Sequence, residues 1–189
     1  MARPRSPDKR GAILLAATCI IAAQGVAAPI TSVAREAGIS SGLVFLYFPT
    51  KADLLNNLYI ELHSHMAEVS MEGLPEGDDL RRQMFHVWSG RLHWATEGPE
   101  RRRTLAQLEV CEEITPPSRQ KALEAGGAMR GVLERCRVAG PMETDPLGFA
   151  DSLVCALADA TIDAMIQDPA QAEARCLSGF NALWRMISQ

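Results

Sequence analysis

Hydrophobic residues recur at intervals of three and four positions along most of the chain, which is the spacing of one face of an α-helix. The first such face runs from Ile13 to Ile21, and Gly25 follows where a left-handed glycine commonly ends a helix. Similar segments, separated by turns rich in Gly and Pro, continue towards the C-terminus. The pattern predicts an all-α protein of about nine helices.

Two short helical patterns lie close together near the N-terminus, at 30–38 and 42–48, and a glycine-containing turn joins them. A helix, a short turn with Gly and a second helix are typical of a helix-turn-helix, whose second helix enters the DNA major groove. Thr50 and Asp53 then have the spacing of a capping box, which predicts a fourth helix from Lys51 to about residue 70.

Gly73, Pro75 and Gly77 mark a loop after the fourth helix. We therefore expect a three-helix DNA-binding domain and the fourth helix within residues 7–67, and a helical ligand-binding and dimerisation domain at 68–189. In the second part, helices are predicted at about 78–97, 100–113, 115–136 and 146–167, and a last one after a start signal at Asp168.

Charge separates the two parts of the chain. The net charge of the 189 residues is −4, but residues 1–51 carry six basic and two acidic side chains. A basic module on an acidic body indicates that only the N-terminal part approaches a polyanion. Arg3 and Arg5 form an arm that either reaches phosphates or a minor groove or is a plain terminus. The run from Arg101 to Arg103 lies in the acidic part and is interpreted as a solvated face.

The remaining composition argues against several classes of protein. Five widely spaced cysteines without a CxxC motif fit neither a disulfide scaffold nor a zinc site, and are interpreted as small buried hydrophobes. The sequence contains no paired-carboxylate or Cys-His constellation, so we expect no catalytic residue, no metal and no cofactor. No apolar run reaches the roughly 18 residues of a membrane span. A signal peptide is disfavoured, and we expect a cytoplasmic protein.

The segments 33–42 (VAREAGISSG), 44–48 (VFLYF) and 50–54 (TKADL) resemble the DNA-binding domain of the tetracycline-repressor (TetR) family. The pattern of that family is roughly I-A-x-x-A-G-V-S-x-G-x-L-Y-x-Y-F-x-S-K-x-x-L. The resemblance covers about the first third of the chain. Phe45 departs from the pattern where the family usually has Tyr, and Leu43 departs where small or polar residues are frequent.

The resemblance implies that a set of residues in and around the two short helices meets DNA. The matching positions are Thr31, Ser41, Gly42, Phe45, Tyr47 and Lys51. Ser40 and Lys51 suggest such a role from their own positions in the sequence. Ser40, in the turn, either caps the third helix or hydrogen-bonds bases or phosphates. Lys51 opposes the dipole at the start of the fourth helix, and a bound phosphate would reverse that penalty.

The fifth helix is apolar on two sides, which indicates that it lies at the centre of the body. We expect an effector pocket near it that accepts an aromatic or apolar compound. Its expected lining is Met66, Met84, Trp88, Leu105, Leu108, Glu109 and Glu112. A carboxylate facing a cavity would favour a cationic ligand, and solvent exposure of the two glutamates is the alternative.

The last two helices are amphipathic and suit a two-fold, four-helix interface. The TetR resemblance implies a homodimer through this pair of helices. The residues expected there are Leu153, Leu157, Phe180, Leu183 and Trp184. Burial inside a single chain is the alternative for some of them.

Taken together, these patterns predict a ligand-responsive transcription regulator without enzymatic activity. We expect a repressor that binds a palindromic double-stranded DNA operator as a homodimer and is released by a small-molecule effector. The alternatives are an all-α enzyme, or an interaction module that does not bind DNA.

Overall fold

The computed structural model describes residues 7–188, and every regular element in that range is helical, which confirms the predicted all-α fold. A short 3-10 turn, Pro169–Gln171, precedes the last helix. The ten α-helices of the described range are α1 Pro7–Gln24, α2 Ile30–Glu36, α3 Ser41–Tyr47, α4 Lys51–Met71, α5 Leu80–Glu97, α6 Pro99–Glu109, α7 Pro116–Ala125, α8 Gly127–Cys136, α9 Leu147–Gln167 and α10 Ala172–Ile187.

The local signals near the N-terminus act as predicted. Gly25 follows α1 with a φ of 85°, and Gly38 follows α2 with a φ of 66°, a region in which only glycine is unstrained. The capping box at the start of α4 is closed in both directions. The Thr50 N–H donates to the Asp53 carboxylate, and the Asp53 N–H donates to the Thr50 hydroxyl, each at 3.0 Å.

The sixth helix ends at Glu109 and not near residue 113, so the predicted helix was too long and Glu112 lies in the turn that follows it. Arg119 reaches back to this end from α7. Its Nη2 donates to the carbonyl oxygens of Glu109 at 3.1 Å and Cys111 at 3.4 Å. The bond to Glu109 satisfies a carbonyl group that loses its helical partner where the helix stops. A side chain on another helix thus stabilises the end of α6, and the periodic pattern does not show this contact.

Two further boundaries differ from the prediction. The single helix expected at about 115–136 is divided at Gly126 into α7 and α8, because two consecutive glycines have low helix propensity. Asp168 does not act as the predicted N-cap: its side chain makes no capping hydrogen bond, and the 3-10 turn separates it from Ala172, where α10 begins.

The chain forms two compact units. Unit 1 contains the described chain up to His63 together with Gly98–Leu123. Within it, α1 packs against α2 and α6, and α2 packs against α3. Ile13 of α1, Val33 of α2 and Leu108 of α6 belong to its core and are at most 2% exposed. The short helix-turn-helix is therefore supported by α1, which is in turn backed by α6.

Unit 2 contains Ser64–Glu97 and the chain from Glu124 onward. The central helix is α5, which packs against α8, α9 and α10. Trp88 of α5 is 1% exposed, and its indole N–H donates to the carbonyl oxygen of Cys176 in α10 at 3.1 Å. The helix α4 continues from unit 1 into unit 2 without interruption.

Two glycines of unit 2 allow helices to approach closely. A Cβ atom on Gly90 of α5 would lie 2.8 Å from the Cα atom of Ser70, at the end of α4. A Cβ atom on Gly179 of α10 would overlap the hydroxyl of Thr161 and lie 2.8 Å from the Trp88 ring. Both positions therefore require a residue without a side chain.

None of the helices in residues 7–188 combines the length and the apolar character that a membrane span requires.

Candidate nucleic-acid interface

The segment from α2 to α3 has helix-turn-helix geometry, as the sequence predicted. The Ser40 side chain accepts a hydrogen bond from the Leu43 N–H at 3.2 Å and so caps α3. Val44 and Phe48, four residues apart, are 0% and 2% exposed. These two side chains hold α3 against the core of unit 1, so the opposite face of the helix points to solvent.

The outward face of α3 carries apolar side chains. Phe45 is 46% exposed and Leu46 is 51% exposed. Gly42 is exposed one helical turn before them. These three residues have the i, i+3, i+4 spacing of one helix face. Leu46 was not among the predicted DNA-contacting residues, and its spacing of four from Gly42 places it on the same outward face.

Polar residues surround this outward face. Thr31 and Ser40 are exposed, and Ser41, Tyr47 and Lys51 are half-buried. Lys51 in the first turn of α4 and Arg35 in the last turn of α2 form no ion pair with the described residues, so their charges remain available. Arg3 and Arg5 lie outside the described residues. The DNA contacts expected of all these side chains remain predictions.

Arg10 of α1 binds within unit 1. Its guanidinium donates to the Asn57 side chain at 3.0 Å and pairs with Glu61 at 3.3 Å, both on α4. It also lies 5.8 Å from the centre of the Phe48 ring, just after α3. Arg10 therefore braces the helices around α3, and the charge of Glu61 balances one of the six basic groups counted in residues 1–51.

Glu109, predicted as a pocket residue, is the centre of a polar cluster in unit 1, and its role in a pocket remains a prediction. The Tyr59 hydroxyl donates to one carboxylate oxygen at 3.1 Å, and His63 Nε2 lies 2.9 Å from the other. Arg119 pairs with the same carboxylate at 3.7 Å and lies over the Tyr59 ring. The cluster links α4, α6 and α7, and leaves Glu109 with three partners before any ligand arrives.

The pKa values in this cluster follow from its contacts. Burial tends to raise the pKa of Glu109, but the hydrogen bonds and charges of His63, Tyr59 and Arg119 outweigh burial and lower it. Burial, and next the Glu109 carboxylate, raise the pKa of Tyr59 to about 12. Both shifts favour an ionised Glu109 that accepts a hydrogen bond from a neutral Tyr59.

The other residues predicted to line a pocket are distributed over both units, and the pocket remains a prediction. In unit 2, Met66, Met84 and Trp88 are buried. In unit 1, Leu108 is buried, Leu105 is half-buried and Glu112 is exposed.

The residues predicted for a dimer interface differ in exposure. Phe180 and Leu183 are 2% and 0% exposed and belong to the core of unit 2 itself. Leu153, Leu157 and Trp184 are half-buried. Exposed residues of α9, among them Phe149, Ala156 and Ala160, lie beside Leu153 and Leu157 on the same side of the helix.

The five cysteines are free thiols. Cys136 is buried, which raises its pKa to about 11, and the other four are half-buried. Burial also raises the pKa of Cys19, Cys155 and Cys176. Within residues 7–188, no group of three or more His, Cys, Asp or Glu side chains is placed to hold a metal ion.

A capped helix-turn-helix with a solvent-facing second helix defines a DNA-binding type of domain. Residues 13–58 match the family model described as bacterial regulatory proteins, tetR family. The N-terminal domain is therefore a TetR-family helix-turn-helix domain, and the described chain has the fold of that family's transcription regulators.

Solved structures support the fold over nearly the whole chain. A tetR-family transcription regulator from Shewanella sp. PV-4 is similar with a TM-score of 0.86 and 20% identity, over 98% of this chain and 100% of that one. A TetR-family regulator from Marinobacter aquaeolei VT8 has a TM-score of 0.84 and 19% identity, with 96% of each chain covered. LfrR from Mycobacterium smegmatis, solved in complex with proflavine, has a TM-score of 0.70 and 21% identity, over 96% of this chain and 98% of that one.

Proposed function

We propose that this protein is a ligand-responsive transcriptional repressor that binds a palindromic operator as a homodimer and releases it when a small molecule binds. The observation that carries the proposal is the two-sided character of α3. Val44 anchors one face in the core, while Gly42, Phe45 and Leu46 present the other face to solvent. Neighbouring exposed apolar side chains on one helix face suit contact with a partner.

The outward face of α3 fits the major groove. Gly42 lets the helix backbone approach the bases closely, and Phe45 and Leu46 fit thymine methyl groups. Thr31, Tyr47 and Lys51 flank the helix at positions suited to phosphate contacts. Because the face carries few polar groups, sequence preference rests on apolar contacts and DNA shape. Arg3 and Arg5 are proposed to add phosphate or minor-groove contacts.

A dimer would place two α3 helices in successive major grooves, about 34–36 Å apart. The proposed interface is the outer face of α9 and α10. Small exposed residues such as Ala156 and Ala160 permit close helix approach there, and Phe149 adds apolar area. The half-buried Leu153 and Leu157 lie beside this face.

The ligand response is supported by the fold and by α4. LfrR, which shares the fold, was solved with the aromatic compound proflavine bound. In the present chain, α4 follows α3 and runs to Met71 as a single helix, which in this proposal carries a displacement of its C-terminal half to its N-terminal half. An effector acts only to the extent that it binds the released conformation more tightly.

Selection from random double-stranded DNA, followed by fluorescence anisotropy, tests DNA binding. We expect enrichment of a palindromic site. Phe45→Ala should weaken binding of that site roughly tenfold, through loss of about half of a buried Phe contact. Leu15→Ala, at a 67% exposed position of α1, is the matched control and should leave affinity unchanged. Recovery of no common sequence would identify an interaction module without DNA binding.

Sedimentation tests the dimer separately. Ala156→Arg, on the exposed face of α9, should shift the protein from dimer to monomer because a guanidinium replaces a close helix contact. Ala106→Arg, at an exposed position of α6, should remain dimeric. A monomeric parent protein, or a dimeric Ala156→Arg variant, would contradict the proposed interface.

A further inference from the structure

Unit 2 contains an open groove of about 310 Å³ between the start of α5 and the middle of α10. None of the residues predicted to line an effector pocket contributes to it. Its lining consists of Asp79, Arg81, Arg82, Phe85, Leu177 and Phe180.

The apolar part of the groove has an aromatic floor and an exposed aliphatic wall. The rings of Phe85 and Phe180 meet edge to face, with 4.9 Å between their centres. Phe85 is 37% exposed and Leu177 is 52% exposed, while Phe180 is buried beneath them. Large apolar side chains thus remain in water on both helices, at a place where a bound apolar group would cover them.

The polar part of the groove is positively charged. Two contacts hold the Arg81 side chain in place. Its guanidinium donates to the Asn181 side chain at 3.1 Å and lies 5.8 Å from the centre of the Trp184 ring. Arg82 is exposed and forms no ion pair with the described residues. Asp79 accepts a hydrogen bond from the Arg82 N–H at 2.9 Å and so is engaged in capping α5. Two guanidinium groups and one carboxylate leave the groove with a net positive charge.

The groove borders the exposed positions Ser178 and Arg185 of α10 without including them. Leu177, Asn181 and Trp184 are spaced by four and three residues and form the stripe beside Arg81. Ser178 and Arg185, which are exposed, point away from that stripe by about a quarter of a turn. A second copy seated on Ser178 and Arg185 would leave the groove accessible, whereas one seated on Trp184 would cover its edge.

We propose that this groove binds a small amphiphilic anion, with an apolar chain or ring on Phe85 and Leu177 and a carboxylate at Arg81 and Arg82. Guanidinium groups bind carboxylates through charge-assisted, often bidentate hydrogen bonds. The volume suits a compound of small-molecule size. The proposal deepens the proposed function because it specifies an effector class and a place for it, and as an effector site it rests on that function.

Titration with octanoate, followed by tryptophan fluorescence, tests the site in the full-length protein. Trp184 is half-buried beside Arg81, whereas Trp88 and Trp94 are 1% and 3% exposed, so Trp184 reports on the groove. We expect saturable binding, at least tenfold weaker for octylammonium, which has a similar chain and the opposite charge.

Variants then locate the bound anion. Arg82→Ala should weaken octanoate binding roughly tenfold, the effect of one charge-assisted hydrogen bond. Leu177→Glu should abolish it by placing a carboxylate in the groove. Arg175→Ala, which removes an exposed charge of α10 outside the groove, should bind octanoate like the parent protein.

The outcomes separate this site from the proposed repressor function. Equal binding of octanoate and octylammonium, or unchanged octanoate binding by Arg82→Ala and Leu177→Glu, would overturn the groove site. A loss of self-association in Leu177→Glu would show that a second copy covers the groove, which also overturns it. Octanoate binding that depends on Arg82 but does not weaken operator binding would uphold the groove and contradict only its role as an effector site.

Discussion

Gly179→Ala is expected to destabilise unit 2 although alanine is the better helix former. The new Cβ atom would overlap the Thr161 hydroxyl and lie 2.8 Å from the Trp88 ring. Neither neighbour is free to move. The Thr161 hydroxyl donates to the Leu157 carbonyl oxygen at 2.8 Å, and the Trp88 indole N–H donates to the Cys176 carbonyl oxygen.

The magnitude follows from two opposing effects. Replacing Gly by Ala inside a helix stabilises by about 1 kcal/mol. Overpacking a tight core costs about 1–3 kcal/mol, and the upper end applies because both neighbours are at most 7% exposed and hydrogen-bonded. The free energy of unfolding is therefore expected to fall by about 2 kcal/mol. For a protein of this size, that corresponds to a decrease of about 4–8 °C in Tm.

The assay is urea unfolding followed by tryptophan fluorescence, with Gly131→Ala as the matched control. Gly131 lies inside α8, and a Cβ atom there would meet nothing within 4 Å. The free energy of unfolding of that variant should rise by up to about 1 kcal/mol, so the same substitution is expected to stabilise at position 131 and destabilise at position 179. The double variant Gly179→Ala, Thr161→Ala should be more stable than the sum of its single changes by about 1–2 kcal/mol.

If Gly179→Ala is as stable as Gly131→Ala, the close packing of α10 on α5 and α9 is refuted. Destabilisation that Thr161→Ala does not relieve would instead assign the cost to Trp88 alone.

Three further predictions concern unit 1. Leu46→Ala should weaken operator binding roughly tenfold without changing Tm. Leu123→Ala, at a similarly exposed position of α7, should change neither the affinity nor Tm. An unaltered affinity of Leu46→Ala would show that Leu46 does not contact the operator. Lys51→Ala should reduce the salt dependence of binding by about one phosphate contact, and an unchanged slope would exclude that contact. Because folding raises the pKa of Tyr59 from 10.0 to about 12, its contribution to stability should be complete below pH 10 and decline by about 2–3 kcal/mol towards pH 12. Urea unfolding of Tyr59→Phe should lack this decline, and parallel pH profiles of the two proteins would contradict the role of the buried phenol.

Short-range features of the fold could be predicted from the sequence. The left-handed glycine after α1, the Thr50–Asp53 capping box and the inward pair Val44 and Phe48 all depend on residues within one or two helical turns of each other. Their chemistry is local, so the pattern of residue types is sufficient. The same holds for the identity of the helix-turn-helix.

Contacts between distant segments could not be predicted in this way. Arg10 was counted in the basic charge of residues 1–51, but its partners Asn57 and Glu61 are about fifty residues away. Glu109 was predicted either to line a pocket or to face solvent, and its contacts with Tyr59 and His63 of α4 were not foreseen. A periodic pattern shows which side of a helix is apolar, and does not show which polar group on another helix meets a given side chain.

The division into two units also sorts the aromatic residues of the chain. The two tyrosines, Tyr47 and Tyr59, both belong to unit 1, and the three tryptophans, Trp88, Trp94 and Trp184, all belong to unit 2. Each unit therefore has its own natural chromophore. Tryptophan emission follows the unfolding of unit 2, and tyrosine absorbance difference spectra follow unit 1. Coincident transitions would show that the continuous α4 helix makes the whole chain one cooperative folding unit, and separated transitions would measure the stability of each unit without any added label.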